Sequence, residues 1–238
     1  MADTASVELM DEQVRGFQTQ GFLSLGRLTT DDEVARLRSV YDAVVKEKTG
    51  CSPDELVKVI GRHGPLSLVT IVSPEGIAPE LENTLFLRKA RKIIARLLTV
   101  EEPRLLSGWR MFCKPPHGGE TPWHQDAAYR PPPHVGASVW MPLDPATDES
   151  SCLSYIKRSH MGEIRPHHFF HDHLTTDDVD LSQSVTCPLA AGEALAHHCR
   201  TLHYAGPNKT ERPRRALVVV CQVVADCQKM VGSSETKK

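Results

Sequence analysis

Hydrophobic residues recur with a helical period before Pro103 and with a strand period after it. Val14 and Phe17, three apart, predict a short amphipathic helix over residues 11–19, stopped by Gly21. Phe22-Leu23-Ser24-Leu25 reads as a strand. Thr30, with Glu33 three residues on, has the capping-box pattern. Val34, Leu37, Val40, Tyr41, Val44 and Val45 then mark one apolar helical face as far as about Lys48. Residues 51–63 follow neither period. Residues 66–72 are aliphatic and β-branched and end at the turn Ser73-Pro74-Glu75-Gly76, so a strand is predicted. A second long helix is predicted over residues 79–100, with Leu85, Leu87, Ala90, Ile93, Ile94, Leu97 and Leu98 on its buried side.

Beyond Pro103 the segments are short, alternating, and cut by Pro and Gly. Strands are predicted over 105–114, 137–143, 152–156, 184–188, 194–198 and 216–224. Helices followed by many short strands imply an α+β fold whose β-sandwich or barrel carries the site. We read residues 1–238 as a single domain: a helical part over 10–102, a strand core over 103–228, and a polar tail at 229–238 expected to be disordered.

Composition narrows the class. Hydrophobic residues make up 40% and charged residues 24%, enough apolar material for a core. A net charge of -2, with Lys and Arg dispersed, predicts no nucleic-acid partner. No apolar run approaches the roughly 18 residues that span a bilayer, and Met1 to Glu12 lacks the apolar stretch of a secretory signal. The seven cysteines are odd in number and form no CxxC pair, which argues against a disulfide framework and for a reducing compartment. The expectation is a cytoplasmic protein; its oligomeric state is not encoded in these features.

The candidate chemistry centres on Trp123-His124-Gln125-Asp126. On an extended strand His124 and Asp126 would share a side and could grip one ion. The pair alone is weak, since a chain with 12 histidines meets His-x-Asp by chance. A third ligand must be remote. The best source is the stretch His198-Cys199-Arg200-Thr201-Leu202-His203, where His203 precedes the turn Gly206-Pro207-Asn208; a bulge could instead bring His197 or His198. Arg214 stands at the start of the next apolar strand. If the strands flanking that turn form a hairpin, Arg214 and His203 fall in one cavity. Two imidazoles and one carboxylate form the facial triad of non-haem Fe(II) oxygenases, and a guanidinium is the matching anchor for a carboxylate cosubstrate.

Five stretches in order then carry a family resemblance: residues 123–129, Val139-Trp140-Met141-Pro142-Leu143-Asp144, Cys152 through His160, Gly192-Glu193-Ala194-Leu195, and His203-Tyr204-Ala205-Gly206-Pro207-Asn208 with Arg214. Together with Gly21-Phe22-Leu23 they resemble the phytanoyl-CoA dioxygenase family of Fe(II)/2-oxoglutarate oxygenases, over about residues 12–226. The resemblance implies a double-stranded β-helix (a cupin-like jelly roll) flanked by N-terminal helices. It implies His124, Asp126 and His203 as iron ligands, Arg214 as partner of the distal carboxylate of 2-oxoglutarate, and Gln125 and Trp140 as pocket-lining residues. The implied activity is hydroxylation of an unactivated C–H of a small molecule, using O2 and releasing succinate and CO2. Asp126 matters here, because related halogenases carry a small residue in its place. Ser150-Ser151 and Lys157-Arg158 depart from the family's usual Asn-Gly and Pro-Gly, so the phytanoyl-CoA substrate does not transfer. The alternatives are a non-catalytic jelly-roll protein that binds a metal or small ligand, and a zinc hydrolase using the same three ligands, which would leave Arg214 without a purpose.

Other residues have plainer readings. His167, His168, His171 and His173 are expected to be a solvated loop. Tyr129, Arg130, His134 and Arg158 are expected at the surface or in packing, Trp109 in the core, and Arg212 and Arg215 in solvent.

Overall fold

A computed structural model describes residues 8–49, 57–60, 68–72, 81, 83–101, 105–129 and 135–223. Three helices precede most of the strands: α1 (Asp11–Gln20), α2 (Asp31–Thr49) and α3 (Leu85–Leu98). The strands are β1 (Phe22–Arg27), β2 (Val57–Ile60), β3 (Leu68–Val72), β4 (Leu105–Lys114), β5 (Thr121–His124), β6 (Gly136–Pro142), β7 (Leu153–Ile156), β8 (His168–Phe170), β9 (His173–Thr175), β10 (Ser184–Cys187), β11 (Glu193–His198), β12 (His203–Ala205) and β13 (Arg214–Val223).

The helix starts show how local sequence sets the frame. Thr30 Oγ1 accepts the Glu33 backbone N–H at 3.1 Å, one half of the predicted capping box. The other half is diverted: the Glu33 carboxylate accepts the N–H groups of Leu85 (2.8 Å) and Phe86 (3.1 Å) at the start of α3. Its negative charge therefore meets the positive end of a different helix. Thr84 caps α3 by accepting from Leu87 N–H, a contact worth about 1 kcal/mol. α3 begins at Leu85 rather than in the region of Pro79, and residues 79 and 80 lie outside the described residues.

A seven-stranded sheet runs β1-β11-β6-β13-β4-β3-β2 and a four-stranded sheet runs β10-β7-β12-β5. Every recorded pairing is antiparallel, and the non-sequential strand order is that of a jelly roll. β8 and β9 form a separate hairpin.

Strand alternation splits the core into two layers. On β13, Leu217, Val219 and Cys221 face the helices with Phe17, Leu37, Ile93 and Leu97. Ala216 and Val218 face the other sheet with Trp140, Leu153, Tyr155 and Leu195. Trp109 belongs to the helix-facing layer, as expected.

The hairpin considered across the turn Gly206-Pro207-Asn208 does not form: β12 pairs with β5 and β7 in the small sheet, whereas β13 pairs with β4 and β6 in the large one. The turn after His203 hands the chain from one sheet to the other. The ambiguous stretch 51–63 contributes β2, and its remaining residues lie outside the described residues.

Candidate metal centre

His124 ends β5, His203 opens β12, and the two are direct cross-strand partners. Their ring centroids lie 4.1 Å apart. Asp126 does not extend the strand, so simple i, i+2 parity is not what joins it to His124. It starts a 3-10 turn (Asp126–Tyr129) that folds its carboxylate back between the rings. Asp126 Oδ1 sits 3.8 Å from His124 Nε2 and 3.7 Å from His203 Nε2. One donor atom from each of the three residues lies within 4.8 Å of the other two, so the group can hold a metal ion.

Each imidazole is aimed by its backbone. Nδ1 of His124 lies 2.8 Å from the carbonyl of Pro122, and Nδ1 of His203 lies 3.0 Å from that of Thr201. A proton on Nδ1 in each ring leaves the Nε2 lone pair for metal. Burial pushes both rings below the ordinary histidine range, which keeps them neutral. Burial acts to raise Asp126, but the facing His203 and the hydrogen bond from His197 outweigh it and hold the carboxyl well below its usual range. Two neutral imidazoles and one carboxylate thus converge, the donor set that suits Fe(II) with open coordination positions.

The far side of the carboxylate is also occupied. Ser138 Oγ donates to Asp126 Oδ2 at 3.2 Å, and His197 Nε2 lies 3.3 Å from the same oxygen. The Tyr155 hydroxyl meets His197 Nδ1 at 3.1 Å. Sequence reasoning missed Ser138 and Tyr155 and weighed His197 only as a substitute ligand. The available signal was parity, since Ser138 lies two residues before Trp140 on β6.

Arg214 opens β13 on its inter-sheet face, only 3% exposed. Its guanidinium carbon is 5.1 Å from the Trp140 ring centroid, a cation–π contact. Burial lowers its pKa to about 10, so it remains charged at neutral pH. Nε and Nη1 are buried with no hydrogen-bond partner among the described residues. Each unmet donor costs about 1–3 kcal/mol, more when charged, and a carboxylate ligand would relieve both. Arg215 points the other way but not into solvent. It donates to both oxygens of Asp144 and of Asp42 at 2.8 Å, correcting the expectation of a solvated residue.

Gln125 is fully buried and spends its amide on the backbone: Nε2 donates to the Arg200 carbonyl (2.7 Å) and Oε1 accepts from Arg165 N–H (2.9 Å). Those contacts hold the loops beside the triad. His198 turns away, toward His160 and Phe17.

Within the histidine-rich segment, His168 and His171 are exposed, but His173 is buried on β9 and His167 accepts the Gln125 N–H, so the segment is not wholly solvated. Tyr129 stands edge-on to His124 with centroids 6.1 Å apart and is half exposed at the rim. Arg158 is exposed, Arg212 is exposed, and Arg130 and His134 lie outside the described residues.

Comparison with known proteins agrees with this geometry. The family described as phytanoyl-CoA dioxygenase (PhyH) matches residues 17–216. The crystal structure of EvdO2 from Micromonospora carbonacea var. aurantiaca, complexed with 2-oxoglutarate, is 38% identical with a TM-score of 0.81, covering 91% of this chain and 92% of that one. The carbocyclase SnoK from nogalamycin biosynthesis, described as non-haem and alpha-ketoglutarate-dependent, shares the fold at 21% identity and a TM-score of 0.68, over 99% and 94% of the two chains. The peroxisomal phytanoyl-CoA dioxygenase of Rattus norvegicus is 21% identical over 224 residues, 87% of this chain; the chain spans 66% of that relative's length.

Proposed function

Because the chain belongs to the phytanoyl-CoA dioxygenase family of non-haem Fe(II)- and 2-oxoglutarate-dependent dioxygenases, we propose that His124, Asp126 and His203 hold its iron and that Arg214 anchors its cosubstrate. When bound, Fe(II) and 2-oxoglutarate supply the activation of O2, with release of succinate and CO2 and oxidation of a substrate C–H. The observation that carries the reading is the pairing of a two-histidine, one-carboxylate cluster with a buried guanidinium whose Nε and Nη1 have no hydrogen-bond partner among the described residues. Together the two halves match one chelating dicarboxylate.

The protein's own residues have separable tasks. His124 and His203 offer neutral Nε2 donors because Pro122 and Thr201 take their Nδ1 protons. Asp126 adds a single negative charge, so the ion keeps positive charge to attract an anionic chelate. Arg214 would grip the distal carboxylate in a fork, and Trp140 stacks on the guanidinium to fix its plane and exclude water. Tyr129 stands where a substrate would approach His124. The retained carboxylate of Asp126 favours hydroxylation as the outcome on a small molecule. Cys113, Cys152 and Cys187 are free thiols, which supports a cytoplasmic setting. Among the described residues, no helix is long and apolar enough to cross a membrane.

The test is succinate release from 2-oxoglutarate under Fe(II) and air, with a panel of small-molecule substrates. His124→Ala and Asp126→Ala are each expected to lower the rate at least about 100-fold, as loss of a metal ligand does. Undiminished turnover in either variant would sink the assignment.

A further inference from the structure

Building on the proposed triad, we infer that Ser138 and His197 are positioning residues that hold the Asp126 carboxylate as a one-oxygen ligand to iron. The carboxylate is divided between two environments. Oδ1 faces His124 Nε2 and His203 Nε2, while Oδ2 is engaged by Ser138 Oγ and His197 Nε2. The two partners of Oδ2 are themselves a cross-strand pair, His197 opposite Ser138, on β11 and β6 of the large sheet. Ser138 is 1% exposed and His197 3% exposed, so both partners of that oxygen are themselves withdrawn from water.

His197 is oriented in turn. The Asp126 carboxylate can only accept, so the 3.3 Å contact calls for a proton on His197 Nε2, and Nδ1 is then free to accept from the Tyr155 hydroxyl 3.1 Å away. An imidazole that donates to a ligand's outer oxygen is not also offering that nitrogen's lone pair to metal. His197 also stands outside the group of three whose donor atoms lie within 4.8 Å of one another.

The chemical consequence concerns room at the metal. An octahedral ion accommodates a facial triad, a chelating 2-oxo acid and O2, with no position to spare. A carboxylate free to rotate could bind through both oxygens and occupy the position O2 needs. Two hydrogen bonds on Oδ2 prevent that rotation and lower the entropy lost when the metal arrives. Outer partners of this kind typically change metal affinity about 10–100-fold.

The experiment is an anaerobic Fe(II) titration of the apoprotein. It is read by affinity and by the charge-transfer absorption that appears when 2-oxoglutarate joins the iron. The variants are Ser138→Ala, His197→Leu, His197→Gln and Asp126→Ala. His197→Leu is expected to weaken Fe(II) binding about 10–100-fold and to shift or broaden the absorption band. His197→Gln, which keeps an N–H donor, is expected to restore binding to within several-fold of the native protein. Ser138→Ala is expected to weaken binding several-fold, and it carries the test alone if His197→Leu does not fold. Native-like affinity and band in His197→Leu, or in Ser138→Ala where it stands alone, overturns the inference. So does a His197→Gln as impaired as His197→Leu, because the hydrogen bond would then not be the operative feature. Native-like iron binding by Asp126→Ala is a separate failure, of the triad itself.

Discussion

At the scale of single residues, the most exposed commitment concerns Arg214. Its Nε and Nη1 are buried without partners among the described residues, so the apoprotein carries a cost that an anionic ligand removes. Arg214→Lys keeps the charge and loses the fork. The expected result is a KM for 2-oxoglutarate raised about 10–100-fold, with Fe(II) affinity unchanged within a few-fold. Steady-state kinetics and a separate metal titration distinguish the two quantities. Sequence parity separates Arg214 from Arg215 correctly, because neighbours on a strand point to opposite faces. It could not foresee where Arg215 goes, since its partners Asp144 and Asp42 lie 71 and 173 residues away. The roles of Ser138 and Tyr155 were hidden for the same reason: parity puts Ser138 on the face of Trp140, but the two act through Asp126 and His197, 12 and 42 residues away.

At the scale of elements, periodicity was readable wherever it ran long enough to repeat. β4 spans Leu105–Lys114, the range predicted from alternation, and α2 follows the apolar face that begins at Val34. The three-residue strands β8, β9 and β12 are too short to show a period, and Pro122 disguises β5. Junctions matter as much as strands. Gly21 ends α1 with φ +87°, and a methyl group there would lie 2.5 Å from His160 Nδ1 and 2.6 Å from Thr201 Oγ1. Its carbonyl accepts from Thr201 Oγ1 and from His198 N–H, beside β12. Gly21→Ala is expected to cost about 2 kcal/mol or more, from left-handed strain plus displacement of those neighbours. Urea denaturation measures it. Asn208, fully buried, serves the crossing between sheets: its Nδ2 lies within hydrogen-bonding range of the carbonyls of Lys114, Pro115 and Arg212 (2.7–3.3 Å), and Oδ1 accepts from Thr210. Asn208→Leu would strand those carbonyls. It is expected to lower stability by about 2–4 kcal/mol and to weaken 2-oxoglutarate binding, because Arg214 hangs from that turn.

At the scale of the whole molecule, Asp144 joins the helical layer to the large sheet. Arg215 and Arg38 both converge on it, and Arg215 continues to Asp42 on α2. Burial acts to raise the Asp144 carboxyl, but the Arg215 hydrogen bonds and charge outweigh it and hold it below its ordinary 3.8. Its contribution to stability is therefore complete above that value and is lost as pH falls through the depressed pKa. Arg215→Leu should cost about 2 kcal/mol near neutrality and less at acid pH, so its melting curve converges with the native one as pH drops below 4. The two sheets remain the largest feature. The two proposed histidine ligands belong to the small one, Asp126 lies in the turn just after β5, and Arg214 belongs to the large one. A cosubstrate held at both ends would then work as a caliper, measuring the gap between sheets with its own carbon chain. Length would be selected by the sandwich rather than by any pocket wall: 2-oxo diacids one methylene shorter or longer should chelate iron yet miss the arginine, and bind no better than a 2-oxo acid with no second carboxylate.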